Sequence, residues 1–230
     1  MTRVKVCGIT NPRDAMLAVE AGADALGFIF VEDTPRFVTP EIVAPIVRRL
    51  PPFVTPVGVF WDHAPGHIKA VAEACGLRAL QLHGDEKPDD LAGYELPVIK
   101  TVKVSPRPPD VAGMPAYHFE PSIQILAYCA HAAAILLDSA ARWSEGEPRG
   151  PIEWQVAARY AENTPRGARG PGGRVVPIVL AAGLTPDNVA RAVAVAHPYA
   201  VDVNSGVEAE PGRKDPEKLR RFIAEAKRAA

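Results

Sequence analysis

Short apolar runs alternate with amphipathic segments along the whole chain. Residues 4–7 alternate apolar and polar positions with a period of two, which predicts a short strand. Residues 12–22 carry apolar positions at helical spacing and close on a glycine, which predicts a helix and its C-terminal end. Residues 25–30 form a continuous apolar run, as expected for a strand that is buried on both faces.

The same order of elements repeats, and it predicts eight strands separated by helices. The predicted strands cover residues 4–7, 25–30, 55–60, 78–82, 97–102, 133–137, 175–180 and 199–203. Strands that alternate with helices indicate an α/β protein with a parallel sheet and covered faces. Eight units without a wide linker favour a single (β/α)8 TIM barrel over residues 1–230. Residues 163–173 lack apolar periodicity, and we predict a flexible loop there.

Composition and charge narrow the choice of partners. The formal net charge is −1, which argues against nucleic acid or a membrane as partner. Cys7, Cys75 and Cys129 are an odd number of widely spaced thiols, so neither a disulfide framework nor a metal site is expected. Free thiols and the absence of a signal-peptide pattern favour a cytoplasmic protein.

The end of the first strand carries a candidate base. Lys5 and Cys7 share one face, and in a barrel both side chains point inward at the catalytic end. A nearby ammonium favours thiolate over thiol, so the pair predicts a base that works near neutral pH. The alternative is a buried, inert cysteine beside a lysine that extends to solvent.

The end of the sixth strand carries a candidate acid. Asp138 follows the apolar residues 134–137, and burial disfavours the charged form of a carboxyl group. A carboxyl that keeps its proton can act as a general acid. The alternatives for Asp138 are a helix cap and a salt-bridge partner in a loop.

The seventh and eighth predicted strands are followed by short loops that contain glycine. The loop residues that we assign to phosphate binding are Ala182, Gly183, Asn204, Ser205 and Gly206. Backbone N–H groups hold phosphate at this place in many barrels, and glycine lets the backbone approach the anion closely. For either loop alone, a simple tight turn explains the glycine equally well.

Three further polar residues are candidates for substrate binding. Arg36 either clamps a substrate carboxylate or is solvated. His83 is as compatible with a structural hydrogen bond as with catalysis. Asp202 points into the predicted barrel, where a carboxylate needs a donor from Lys5 or from the ligand.

The ordered set of strand-end motifs resembles the phosphoribosylanthranilate isomerase family. The matching motifs are KVCGIT (5–10), GADALGFIF (22–30), TPRFV (34–38), VGVF (57–60), QLHGDE (81–86), LLD (136–138), LAAGLTPDNV (180–189) and VDVNSGVE (201–208). The segment 140–146 departs from the glycine-rich stretch that this family carries after the acid.

The resemblance implies an activity in tryptophan biosynthesis. It is the Amadori rearrangement of N-(5-phosphoribosyl)anthranilate to 1-(2-carboxyphenylamino)-1-deoxy-D-ribulose 5-phosphate, by general acid/base catalysis and without a cofactor or metal. By position, Cys7 matches the family's base, Asp138 its acid, and Arg36 the residue that meets the anthranilate carboxylate. The expected partner is this small phosphosugar-anthranilate substrate, and both a monomer and a homodimer are compatible with the chain.

Two other functions stay open on the sequence alone. A different phosphosugar isomerase or epimerase would account for the phosphate loops, although not for Cys7, Asp138 and Arg36 together. A non-catalytic barrel that senses a phosphosugar would need only the loops.

Overall fold

The computed structural model describes residues 1–104, 125, 127–139, 154, 157–158 and 175–229. Its centre is a closed barrel of parallel strands in sequential order, in which β1 pairs with both β2 and β8. The strands are β1 (Arg3–Val6), β2 (Ala25–Ile29), β3 (Thr55–Phe60), β4 (Ala79–Leu82), β5 (Val98–Val104), β6 (Ala134–Ser139), β7 (Ile178–Leu180) and β8 (Ala200–Val203). The predicted (β/α)8 barrel is confirmed. The predicted loop 163–173 and the segment 140–146 lie outside the described residues.

Five described α-helices lie around the barrel, and most of them begin at a proline. They are α1 (Pro12–Ala21), α2 (Pro40–Val47), α3 (Pro65–Cys75), α4 (Val189–Ala196) and α5 (Pro216–Arg228). All except α4 begin at a proline, whose fixed φ suits the first turn of a helix. The side chain of Asp215 caps α5 by accepting from two backbone N–H groups. Helix α1 ends at Gly22, where φ is 97°.

The apolar core has two parts, one on each side of the strands. Residues on the outer face of the strands pack against the helices, and α5 packs against α1, α4 and β1. A smaller cluster fills the barrel interior with Ala134, Leu136, Val179, Ala181 and Ala200. The inner and outer faces of each strand are thus both buried, which explains the continuous apolar runs.

Predicted and observed boundaries differ in a few places. Strand β7 begins at Ile178 rather than at residue 175, and Pro177 before it has no N–H to donate to the ladder. Helix α4 begins at Val189, directly after a turn at residues 185–188.

A short antiparallel hairpin follows β8, and the sequence pattern did not predict it. Its strands are β9 (Glu208–Glu210) and β10 (Arg213–Lys214). Within the described residues, no helix is long and apolar enough to cross a membrane.

Candidate active site

One cavity opens at the carboxyl ends of the barrel strands. Its empty volume is about 520 Å³ including the open mouth, within the roughly 300–1,000 Å³ usual for small-molecule sites. The predicted site residues that line it are Cys7, His83, Asp138, Ala182, Gly183, Asp202, Asn204, Ser205 and Gly206. Lys5 lies beneath the lining, and Arg36 lies beside it against Gly8, where a Cβ would be 2.9 Å from Arg36 Cδ. The barrel therefore brings the predicted residues to one end of the fold.

Asp202 takes its donor from the neighbouring strand. Lys5 on β1 is in register with Asp202 on β8, and Lys5 Nζ donates to Asp202 Oδ1 over 2.8 Å. Both side chains are buried. Of the two donors predicted for this carboxylate, Lys5 is therefore the one the chain supplies. Gly27 on β2 makes room for the lysine, because a Cβ there would lie 3.0 Å from Lys5 Nζ.

Burial dominates the ionisation of Cys7. Desolvation raises the pKa of the thiol, Lys5 lowers it, the Asp202 carboxylate raises it, and Lys214 lowers it, with a raised pKa as the net result. In the chain without its substrate, the raised pKa disfavours the thiolate that the Lys5–Cys7 pair was predicted to provide near neutral pH. The physical reasons are the burial of the sulfur and the pairing of the ammonium with Asp202.

Asp138 is held inside a strand rather than at a helix start. Strand β6 continues to Ser139, whose N–H donates to Asp138 Oδ1 over 2.8 Å. The other carboxyl oxygen lies 3.8 Å from His83 Nε2. The ring of Trp61 lies 5.0 Å, centroid to centroid, from that of His83. This arrangement fixes the Asp138 carboxyl at the edge of the cavity.

Arg36 is paired rather than solvated. Its Nε and Nη2 groups donate to the two carboxylate oxygens of Glu208 over 2.9 and 2.6 Å. Lys214 Nζ also donates to Glu208, over 3.1 Å. Burial raises the pKa of Glu208, but Arg36 and Lys214 outweigh it and hold that pKa below its ordinary range. The alternative of a solvated Arg36 is wrong.

The hairpin that carries Glu208 and Lys214 ties several loops of the mouth together. Thr10 Oγ1 donates to the Gly212 carbonyl over 2.6 Å, and the Lys214 N–H donates to Asp14 Oδ2 over 2.8 Å. Lys214 Nζ donates to the backbone carbonyl and to the side-chain oxygen of Asn204. Sequence reasoning assigned no role to Glu208 or Lys214, although Glu208 ends the VDVNSGVE motif.

The loops after β7 and β8 touch each other. A Cβ on Gly206 would lie 1.9 Å from the Leu184 carbonyl oxygen, so glycine is required for this approach. Ala182 and Gly183 both have left-handed backbone, with φ of 68° and 64°. Asn188, which the sequence did not single out, braces the first loop by donating to the Gly183 carbonyl over 2.9 Å.

Fold and site together define a class of protein. A (β/α)8 barrel with a thiol, a carboxyl group and glycine loops around one mouth has the architecture of a barrel enzyme that works by proton transfer. Among the described residues, no group of three or more His, Cys, Asp or Glu side chains is arranged to hold a metal ion.

Comparison with known proteins identifies the family. Residues 4–225 match the family model described as N-(5′-phosphoribosyl)anthranilate (PRA) isomerase. An N-(5′-phosphoribosyl)anthranilate isomerase from Geobacter sp. (strain M21) is 46% identical over 228 residues, covering 99% of each chain. The isomerase from Myxococcus xanthus (strain DK1622) is 42% identical over 225 residues, which cover 98% of this chain and 96% of the Myxococcus chain.

Solved structures agree with this assignment. Phosphoribosyl anthranilate isomerase from Thermotoga maritima superposes with a TM-score of 0.81 at 38% identity, and 99% of each chain is covered. A crystal structure of phosphoribosyl anthranilate isomerase in complex with reduced 1-(o-carboxyphenylamino)-1-deoxyribulose 5-phosphate has a TM-score of 0.78 at 38% identity, with the same coverage.

The chain belongs to the N-(5′-phosphoribosyl)anthranilate isomerase family. It is an isomerase that catalyses the Amadori rearrangement of N-(5-phosphoribosyl)anthranilate in tryptophan biosynthesis. The two other functions left open by the sequence, a different phosphosugar isomerase and a non-catalytic sensor, are therefore wrong.

Proposed function

We propose that Cys7 is the general base and Asp138 the general acid of this rearrangement. The observation that carries the proposal is that both side chains line the same cavity, together with the glycine loops after β7 and β8. Asp138 gives its proton to the ring oxygen while the bond from that oxygen to C1 breaks, and the nitrogen lone pair forms an iminium. Cys7 then takes the proton from C2, and the electron pair of that bond forms C1=C2. Each such transfer is typically worth about 10²–10⁴-fold in rate.

The substrate itself helps Cys7 to act as a base. The chain's own groups raise the pKa of the thiol, mainly through burial. Opening of the sugar ring places a positive iminium nitrogen two bonds from C2, and a nearby cation favours the thiolate. Proton removal therefore becomes favourable only after Asp138 has opened the ring, which orders the two steps.

The two anionic ends of the substrate set its orientation. We assign the phosphate to backbone N–H groups of Ala182, Gly183, Asn204, Ser205 and Gly206, where the backbone comes close to the cavity. Arg36 meets the anthranilate carboxylate through Nη1, because Glu208 already binds Nε and Nη2. Lys214 offsets the charge of Glu208, so Arg36 keeps its attraction for an anion.

The remaining polar residues contact the middle of the substrate. His83 and Asp202 line the same cavity, and we assign both to the part of the substrate between its two anionic ends. Lys5 lies behind Asp202 and acts through it by fixing the position of the carboxylate. All three are thus assigned to substrate binding.

The expected partners are few. We propose that the chain acts on its small-molecule substrate in the cytoplasm, without nucleic acid or membrane, as a monomer or homodimer. In support of both states, a structure with 36% identity and a TM-score of 0.78 shows monomers generated from the dimeric isomerase of Thermotoga maritima. The three thiols Cys7, Cys75 and Cys129 are free and buried, in keeping with a reducing compartment.

Replacement of Asp138 tests the assignment of the acid. Asp138→Asn keeps the size and polarity of the side chain but cannot cycle a proton, so we expect kcat to fall at least ~100-fold. Binding of the reduced product, the ligand of the solved relative, should change much less. Turnover followed through anthranilate fluorescence measures the first quantity, and calorimetry the second. A variant within a few-fold of wild-type kcat would assign the acid elsewhere.

A further inference from the structure

Gln81 lines the cavity and carries a side-chain amide of which only one end has a hydrogen-bond partner among the described residues. It lies on β4, two residues before His83, and it lines the same cavity as Cys7 and Asp202. The residue is only 2% exposed. One end of its carboxamide is bonded, since Nε2 donates to Thr101 Oγ1 over 3.4 Å. The other end, Oε1, is buried and has no hydrogen-bond partner in the described part of the chain.

A buried amide end without a partner calls for a specific explanation. Native proteins rarely leave such groups unpaired, because the lost hydration is not repaid by another hydrogen bond. The hydroxyl of Thr101 both donates and accepts, so it bonds to the carboxamide in either of its two orientations. The end that is not bonded to Thr101 therefore needs a partner that can also donate or accept.

The ribose hydroxyls meet this requirement, because the anthranilate N–H of the substrate is already engaged by the carboxylate ortho to it. Phosphate and carboxylate oxygens accept but do not donate, and Arg36 and the glycine loops already serve them in the proposed orientation. The hydroxyl groups of the ribose both donate and accept. Cys7 follows β1 and acts on the C2 hydrogen, whereas Gln81 lies on β4 across the barrel. The C2 hydroxyl points away from that hydrogen and therefore toward Gln81.

We propose that Gln81 binds the C2 hydroxyl of the ribose moiety and so directs the C2 hydrogen toward Cys7. The inference rests on the proposed role of Cys7, which determines the part of the sugar that lies over Gln81. Gln81 transfers no proton. When Cys7 removes the C2 proton, the electron pair forms C1=C2 and the oxygen on C2 stays bound. The later loss of the hydroxyl proton and gain of a proton at C1 complete the ketone.

Affinity for two related probes tests the proposal without relying on turnover. The probes are the reduced product, which carries a hydroxyl on C2, and its counterpart without that hydroxyl. We expect Gln81→Leu to bind the reduced product about tenfold more weakly than wild type, the size of one good hydrogen bond. Loss of the C2 hydroxyl should weaken wild-type binding by about tenfold and Gln81→Leu binding by less than about twofold. Equal losses in the two proteins would overturn the proposal.

Thr101→Val is the matched control, because it breaks the same Gln81–Thr101 hydrogen bond but keeps the amide. Its affinity for the reduced product should stay within about threefold of wild type, and an effect as large as that of Gln81→Leu would assign the loss to packing and overturn the proposal. Gln81→Met replaces Gln81→Leu if the latter does not fold.

If wild type binds the reduced product and substitution of Gln81 does not weaken that binding, the inference about Gln81 is overturned while the proposed function stands. A wild type that does not bind the reduced product overturns the proposed function as well.

Discussion

The Cys7 thiol lies between charges of opposite sign, and Asp202 contributes the one that disfavours the thiolate. Lys5 and Lys214 lower the pKa of the thiol, whereas burial and the Asp202 carboxylate raise it. We therefore predict that Asp202→Asn lowers the pKa of Cys7, since it removes an anion and frees the Lys5 ammonium from its salt bridge. The ultraviolet absorbance of the thiolate as a function of pH measures this shift.

The titration needs a background in which only one thiol is present. Cys75 and Cys129 are also buried, and burial raises the pKa of Cys75 to about 11. Both are replaced by alanine in the reference protein and in the variant. An unchanged or higher pKa in Asp202→Asn would show that the carboxylate does not act on Cys7 as the structure indicates.

Among the elements, the contact between the loops after β7 and β8 depends on one glycine. A Cβ on Gly206 would lie 1.9 Å from the Leu184 carbonyl oxygen, too close for the backbone to keep its position. We predict that Gly206→Ala separates the loops, weakens phosphate binding at least ~10-fold and destabilises the barrel by about 1–3 kcal/mol. Calorimetric titration with inorganic phosphate and urea denaturation measure the two effects.

Gly66 in α3 provides the control for this substitution. A Cβ there meets nothing within 4 Å. Gly66→Ala should leave phosphate binding unchanged and stabilise the fold by up to about 1 kcal/mol, because alanine restricts the unfolded chain and favours helix. If the two substitutions have the same effect, the loop contact does not hold the site together.

Glu208, in the hairpin after β8, makes the stability of the fold depend on pH in the acidic range. Arg36 and Lys214 hold the pKa of Glu208 below its ordinary range, while an unfolded glutamate titrates near ~4.3. Between these two values the unfolded chain binds the proton and the folded chain does not, so stability falls as pH falls. We predict that Glu208→Gln reduces this loss of stability below about pH 4.5. Urea denaturation at a series of pH values measures it.

Glu210 in the same hairpin is the matched control. It forms an exposed pair with Arg213, in which the two side chains are 58% and 67% exposed. Exposed pairs contribute little, so Glu210→Gln should keep the wild-type dependence on pH. A Glu208→Gln protein that loses stability in acid as steeply as wild type would contradict the assigned role of the hairpin.

At the scale of the whole molecule, the sequence predicted the barrel because the same unit occurs eight times. Every strand boundary was predicted within two residues except the start of β7. Strand ends also predicted the cavity, since parallel strands bring their carboxyl ends to one face of the fold. The cavity lining was therefore accessible from sequence, and so was the Lys5–Asp202 hydrogen bond, although the ion pairs of Arg36 and Lys214 were not.

The unpredicted parts of the site depend on long-range contacts. Arg36 and Glu208 are 172 positions apart, and no local pattern indicates that they pair. Lys214 is fully buried in an ion pair, whereas lysine is almost always exposed. Gln81 lies in an otherwise apolar strand, where only the packed structure shows that one end of its amide is unpaired.

The central claim is that Cys7 removes the C2 proton, and turnover of Cys7→Ala tests it most directly. Cys75→Ala is the matched control, since Cys75 is equally buried but lies in α3, away from the cavity lining. With N-(5-phosphoribosyl)anthranilate as substrate, we predict that Cys7→Ala lowers kcat at least ~100-fold, while affinity for the reduced product is retained. Cys75→Ala should keep its kcat within about twofold of wild type. A Cys7→Ala protein with more than about a tenth of wild-type kcat would contradict the account.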